Sequence, residues 1–141
     1  MGRILAIDFG LKRTGLAITD ASKSIAFPHK TIDSRELINE INRLNLQESI
    51  ETIVLGEPKK MDTSDTHISE NVRLLHLELQ RQFSSMQVVL HDERFTSGMA
   101  AASIHQMGLK KSKRQEKELV DMVSATIILQ SYLQQNFVKR N

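Results

Sequence analysis

The feature that most constrains the fold is a change in hydrophobic period early in the chain. Three strand-like segments come first, at residues 3–9, 14–20 and 24–32. Apolar residues then recur at helical steps of three or four, in segments that alternate with short apolar runs. This order predicts a three-stranded antiparallel meander, followed by parallel strands that are joined through right-handed helical crossovers.

The rest of the chain is predicted to alternate helices and strands. Ser34 is a plausible N-cap for the first helix, and apolar runs predict strands at 51–56 and 86–91. Three further helices are predicted, at 65–83, from 96 or 97 to 108, and at 114–136. The pattern indicates an α/β fold with a mixed five-stranded sheet flanked by helices, and Pro28 favours an edge position for the third strand.

Length and composition restrict the class of protein. The 141 residues are expected to form a single domain, 1–141, and the absence of cysteine excludes a disulfide framework, a zinc ribbon and a cysteine nucleophile. No apolar run approaches the ~20 residues that span a bilayer, and no export signal is visible. We therefore expect a cytoplasmic protein with no membrane partner. A net charge of +2 is too small to indicate nucleic-acid binding by itself.

Three acidic residues stand in settings where a carboxylate is costly unless it is paired, hydrogen-bonded or metal-bound. Asp8 ends the first strand, Glu93 follows the last strand, and Asp121 lies within the most apolar part of the last helix. Each has a simpler explanation. Backbone N–H groups can satisfy Asp8, and ion pairs with Arg94 and Lys117 can satisfy the other two.

Two strand ends and one helix can bring these three carboxylates to one point at the edge of the sheet. Clustered carboxylates repel one another unless a divalent cation holds them, and oxygen ligands favour Mg²⁺ or Mn²⁺. Two such ions ~4 Å apart can activate water and stabilise the leaving oxygen in phosphodiester hydrolysis. Asp92 competes with Glu93 for a role in such a cluster.

Four segments resemble the motifs of the YqgF/RuvX family, and they stand in the family's order and at its spacing over nearly the whole chain. They are 8–17, 54–58, 92–97 and 119–130. The sequence departs from the family at 59–62, which replaces an apolar residue and a glycine-containing loop, so the role of the loop at 57–66 stays open. The paired alanines of the last helix are Ser124 and Ala125 here.

The resemblance implies an RNase H-like fold and a nuclease, that is, a hydrolase acting on ester bonds. It implies that Asp8, Glu93 and Asp121 are the catalytic residues and bind Mg²⁺ or Mn²⁺. The implied substrate is pre-16S rRNA, matured at its 5′ end during ribosome biogenesis. The alternative substrate is branched DNA, resolved at Holliday junctions during recombination and repair.

A phosphodiester substrate requires positive groups beside an acidic centre. Eight candidates for contact with nucleic acid are Lys12, Arg13, Arg94, Lys110, Lys111, Lys113, Arg114 and Lys117. The alternative for the lysine-rich part of this set is a solvated loop. Because aromatic residues make up only 4% of the chain, contacts are expected to follow backbone shape rather than base identity. His91 lies nearest the acidic residues and is expected to have a structural role rather than to shuttle protons.

Two other functions compete with a nuclease. A non-catalytic module could bind nucleic acid or ribosomal particles through the same basic residues, without a metal. A nucleotide-binding domain of the sugar-kinase or actin type could use the Asp8–Gly10 turn and the following hairpin as a phosphate loop, but such proteins are usually much longer than 141 residues. The sequence leaves open RNA or DNA as substrate, the number of metal ions, and a monomer or homodimer.

Overall fold

The computed structural model describes residues 2–57, 67–92 and 113–140. Within these ranges lie five strands and three α-helices. They are β1 (Arg3–Asp8), β2 (Arg13–Thr19), β3 (Ala26–Asp33), α1 (Leu37–Glu48), β4 (Ile50–Glu57), α2 (His67–Gln82), β5 (Gln87–Asp92) and α3 (Lys113–Arg140). The helix predicted between 96 and 108 lies outside the described residues. No helix in the described ranges combines the length and apolar character that a membrane span requires.

The five strands form one mixed sheet in the order β3-β2-β1-β4-β5. β1 and β3 are each antiparallel to β2, whereas β4 is parallel to both β1 and β5. The predicted meander and its two parallel additions are confirmed. Pro28 lies in an edge strand, as predicted. A register shift there leaves His29 as the extra residue, since Leu16 pairs with Lys30 and Ala17 with Pro28.

Helices cover the sheet on both faces because strand residues alternate between them. In β1, Leu5 and Ile7 pack with residues of α1 and α2. The intervening Ile4 and Ala6 pack with α3 on the opposite face, where Ala125, Ile128 and Leu129 contribute to the core. Asp8 continues the alternation of Ile4 and Ala6, so the parity of β1 directs its side chain towards α3.

The predicted N-cap role of Ser34 is wrong. A 3₁₀ turn at Ser34–Glu36 precedes α1, and the side chain of Asp33 caps it by accepting a hydrogen bond from the backbone N–H of Arg35. The Ser34 hydroxyl instead donates to the Gly10 carbonyl at 2.6 Å and lies 2.8 Å from the Thr14 hydroxyl. Ser34 therefore ties the start of the helical layer to the β1–β2 loop, a contact between segments that local capping rules do not anticipate.

Candidate active site

Asp8 is positioned by the end of β1 and by its antiparallel neighbour. Its cross-strand partner in β2 is Gly15. Directly opposed residues of an antiparallel pair project to the same face of the sheet, which here is the face covered by α3. The Asp8 side chain therefore lies between the sheet and α3, and its neighbour on β2 is Gly15.

Gly15 allows α3 to approach the sheet closely at Asp121. A Cβ atom at position 15 would clash with the carbonyl oxygen of Asp121 and would lie 3.0 Å from the Asp121 Cβ. No other residue type leaves room for the helix backbone at this point. The contact sets Asp121 over β2 at the level of Asp8, so the two carboxylates, 113 positions apart in the chain, meet on one face of the sheet.

The Asp8 carboxyl group is difficult to ionise in this environment. Burial raises its pKa from 3.8 to about 7, and the neighbouring charge of Asp121 acts in the same direction. The hydroxyl of Ser124, which is buried, donates a hydrogen bond to Asp8 and only partly opposes this rise. Among the described residues, no cation counteracts the effect of burial on the pKa of Asp8.

The Asp121 carboxylate does have a cationic partner. The Nε of Arg13 donates to Asp121 Oδ2 in an ion pair, in which the Asp121 side chain is 18% exposed and that of Arg13 is 41% exposed. Burial still raises the pKa of Asp121, with a further contribution from the charge of Glu118, although the hydrogen bond and the charge of Arg13 act in the opposite direction. The ion pair with Lys117 that the sequence suggested is therefore replaced by one with Arg13.

The structure brings together two of the three predicted carboxylates. Glu93 lies outside the described residues, whereas Asp92, the last residue of β5, is exposed. The carboxyl ends of β1 and β5 lie at the same edge of the sheet, and β4 separates them, a spacing of roughly 10 Å. Within the described ranges, no three His, Asp or Glu side chains form a group that could hold a metal ion.

Three of the predicted basic residues line an open pocket beside Asp121. Lys12, Arg13 and Lys117 share this pocket with Asp33 and Glu118. The remaining basic candidates are not placed by the structure. Arg94, Lys110 and Lys111 lie outside the described residues, and only the backbone of Lys113 and Arg114, at the start of α3, is described.

The chain matches the family model RuvX, described as a Holliday junction resolvase, over residues 2–135. It is a member of the RuvX family. Relatives are similar over almost their entire length. A protein of Christiangramia forsetii is 44% identical over 94% of this chain and 98% of its own, and one of Bacteroides fragilis is 44% identical over 95% and 97%. Both bear the name "Putative pre-16S rRNA nuclease".

Solved structures share the fold of this RuvX-family protein. Thermus thermophilus RuvC in complex with a Holliday junction substrate aligns with a TM-score of 0.56 at 12% identity, over 96% of both chains. A second structure of Thermus thermophilus RuvC aligns with a TM-score of 0.53 at 13% identity, over 95% of this chain and 96% of that one. The RNase H-like fold implied by the sequence motifs is confirmed.

His91 has contacts in the RuvX-family protein that favour the structural role expected for it. The side chain is buried between β5 and α3, and its Nε2 lies 2.9 Å from the Ser131 hydroxyl. Its ring meets that of Tyr132 edge-on, with centroids 6.2 Å apart. Burial lowers the pKa of His91, against a smaller opposing effect of Asp92. His91 therefore joins the last strand to the last helix.

Sequence reasoning missed the two side chains that hold the acidic pair. The sequence indicates Ser124 as a neighbour of Asp121 on one helix face and as a departure from the family's paired alanines, and Arg13 as a candidate phosphate contact, but it predicts no bond from either to the acidic pair. Helical spacing carried a signal for Ser124, since it lies three residues after Asp121 and shares its face. For Arg13 the signal was its parity with Gly15 in β2, which directs both residues towards α3.

Proposed function

We propose that this RuvX-family protein is a metal-dependent endonuclease that hydrolyses phosphodiester bonds in structured nucleic acid. The favoured substrate is pre-16S rRNA, matured at its 5′ end, in the cytoplasm and with precursor ribosomal particles as partners. The observation that carries the proposal is the meeting of Asp8 and Asp121, partly buried and from distant parts of the chain, on one face of the sheet. The names of the relatives support the RNA substrate.

The donor set fits Mg²⁺ or Mn²⁺. Asp8 and Asp121 offer only carboxylate oxygens, the ligands that these hard cations prefer. Burial and mutual repulsion make the two carboxylates costly to ionise together, a cost that a divalent cation would offset. We propose Glu93 as the third ligand. When bound, divalent ions supply Lewis acidity at the scissile phosphate.

Other residues of the chain are proposed to orient the acidic side chains and to bind the nucleic-acid backbone. Ser124 fixes the orientation of the Asp8 carboxylate, and the pocket beside Asp121 brings Lys12 and Lys117 within reach of a bound backbone. Positive groups at this position offset the repulsion between an acidic centre and a polyanion. The other basic candidates of the sequence are proposed to extend this surface: Arg94, Lys110, Lys111, Lys113 and Arg114.

The proposal is tested by Mn²⁺-supported cleavage of pre-16S rRNA fragments and four-way DNA junctions. Wild-type protein, Asp8→Asn and Asp121→Asn are compared with Glu70→Gln, which removes an exposed acid from α2 on the opposite face. Cleavage by wild type and Glu70→Gln, with loss of cleavage in both site variants, is expected. Unchanged cleavage by rigorously purified Asp8→Asn would contradict the mechanism. Nucleic-acid binding with no divalent binding would favour the non-catalytic module.

Holliday junction resolution is the second candidate, and the description of the family model favours it. A four-way junction has two equivalent strands to cut, which suits a homodimer with two sites rather than a monomer. Preferential, paired cleavage of the DNA junction in the same substrate panel, together with a dimeric mass in solution, would select this activity over rRNA maturation.

A further inference from the structure

We propose that Arg13 is a built-in counter-ion of the metal site: it holds the Asp121 carboxylate in the metal-free protein and is displaced into the adjacent basic pocket when a divalent cation binds. The inference rests on the proposed function, because it assumes that Asp121 is a metal ligand. It assigns Arg13 two successive partners, first a carboxylate of the protein and then a phosphate of the nucleic acid.

The position of Arg13 is imposed by the backbone. Arg13 begins β2 two residues before Gly15, so both residues project to the face covered by α3. The close approach of α3 at Gly15 sets Asp121 next to that face. Backbone pairing of Arg13 with Asp33 in β3 holds the base of the side chain in place. The guanidinium can therefore move while its origin stays beside Asp121.

The contact occupies a ligand atom. Arg13 Nε donates to Asp121 Oδ2, and a cation that binds this oxygen must compete with the guanidinium for it. The competition is also electrostatic, since Arg13 places a positive charge beside the site where a divalent cation would bind. Both effects weaken metal binding in the free protein, and both are removed if Arg13 moves away.

The pocket offers a place for the displaced guanidinium. Arg13 lines it together with Lys12 and Lys117, and the 41% exposure of the Arg13 side chain leaves it partly in solvent. The three cations exceed the two carboxylates in the lining, Asp33 and Glu118, so the pocket keeps an excess of positive charge that a further anion would offset. A backbone phosphate is the anion that the proposed substrate supplies, and a guanidinium binds phosphate oxygens through two parallel hydrogen bonds.

The experiment measures Mn²⁺ affinity by calorimetry at pH 8 for wild type, Arg13→Gln, Arg13→Lys and Arg81→Gln. The last variant is the control, since Arg81 pairs with Glu78 in α2, remote from the site, and its removal changes the net charge equally. We expect Arg13→Gln to bind Mn²⁺ about threefold to tenfold more tightly, and Arg81→Gln to differ by less than about twofold. Arg13→Lys keeps the charge and loses the Nε contact, so an intermediate affinity is expected.

A second measurement follows the side chain itself. The Arg13 Nε–H signal in NMR spectra, assigned from its loss in Arg13→Gln, is expected to shift on addition of Mg²⁺ to wild type. Two results would overturn the proposed displacement of Arg13 and leave the nuclease proposal standing. One is an unchanged or weaker Mn²⁺ affinity in folded Arg13→Gln. The other is an Arg13 Nε–H signal that does not shift although Mg²⁺ binds. No divalent binding by wild type or by Arg13→Gln would overturn both.

Discussion

Two partly buried carboxylates, Glu40 on α1 and Asp8 on β1, differ in how the protein treats their charge. Burial by itself would raise the pKa of Glu40, but hydrogen bonds from Arg43, His29 and Lys30 outweigh it and lower the pKa to about 2. The pKa of Asp8 is raised to about 7, first by burial and then by the charge of Asp121. The protein neutralises Glu40 with its own cations, whereas burial and a second acid both oppose ionisation of Asp8.

We interpret this difference as one between a structural carboxylate, Glu40, and the proposed metal ligand, Asp8. A carboxylate that three side chains already contact has no need of a metal and contributes to stability. A buried carboxylate that lies beside a second acid, as Asp8 does, opposes folding in its ionised form, and the hydrogen bond from Ser124 only partly offsets this. Variants at Asp8 and Glu40 are therefore expected to differ in activity and in the pH dependence of stability.

The largest expected effect is on catalysis. Asp8→Asn is expected to reduce Mn²⁺-supported cleavage by about 100-fold or more, because it removes a proposed metal ligand. Glu40→Gln is expected to retain activity within about twofold, because its three partners lie away from the α3 face. Initial rates on one substrate, with both proteins shown to be folded by circular dichroism, provide the measurement. Similar losses in both variants would remove the distinction.

The next effect is on stability, at the point where α3 meets the sheet. Gly15→Ala is expected to lower the free energy of unfolding by about 2–4 kcal/mol, because the added methyl group meets the backbone of Asp121 and the helix must shift. Urea denaturation gives this value, with Ala17→Gly in the same strand as a control for small changes on this face. A loss below 0.5 kcal/mol, on the scale of ordinary surface changes, would contradict the close approach.

The pH dependence of stability should have opposite signs at the two carboxylates. For Asp8 the pKa is about 7 in the folded protein and near 3.8 when unfolded, so stability falls as pH rises from about 4 to about 7. Metal-free Asp8→Asn is therefore expected to match wild type near pH 4. Above pH 7 it should exceed wild type by about 1–3 kcal/mol. Urea denaturation at pH 4, 6 and 8 measures this difference, and a variant that is less stable at pH 8 would contradict it.

For Glu40 the folded pKa of about 2 lies below the ordinary 4.5, so its stabilisation is complete above about pH 4.5 and is lost as pH falls towards 2. Glu40→Gln is expected to be about 1–2 kcal/mol less stable than wild type at pH 7. The difference in the free energy of unfolding between Glu40→Gln and wild type should be smaller at pH 3. A gap that stays constant between pH 7 and pH 3 would indicate a packing effect rather than a charge effect.

The smallest expected effect concerns the basic pocket. Lys117→Gln is expected to weaken nucleic-acid binding and to reduce the slope of log K against log salt concentration by about 1, because one phosphate contact is lost. Fluorescence anisotropy at several salt concentrations measures the slope, and Arg81→Gln is again the control. An unchanged slope would indicate that Lys117 lies in a solvated surface outside the bound backbone.

Periodicity in the sequence was sufficient to predict the sheet and the three α-helices of the described ranges. Alternation in β1 and helical spacing in α3 depend on short-range geometry, and that geometry also marked Asp8 and Asp121 as acids in apolar surroundings. The family motifs then indicated the RNase H-like fold and a nuclease. These inferences succeeded because each depends on residues close together in the chain, or on a pattern that the family shares.

Only the tertiary structure decided which side chains meet. Asp121 pairs with Arg13 and not with Lys117 one turn away, Ser124 binds Asp8, and Ser34 binds the Gly10 carbonyl instead of capping α1. The physical reason is that contacts between distant segments depend on the register of the strands and on how closely α3 approaches the sheet at Gly15. Neither quantity is encoded in local periodicity, since both follow from packing the two faces of the sheet at once.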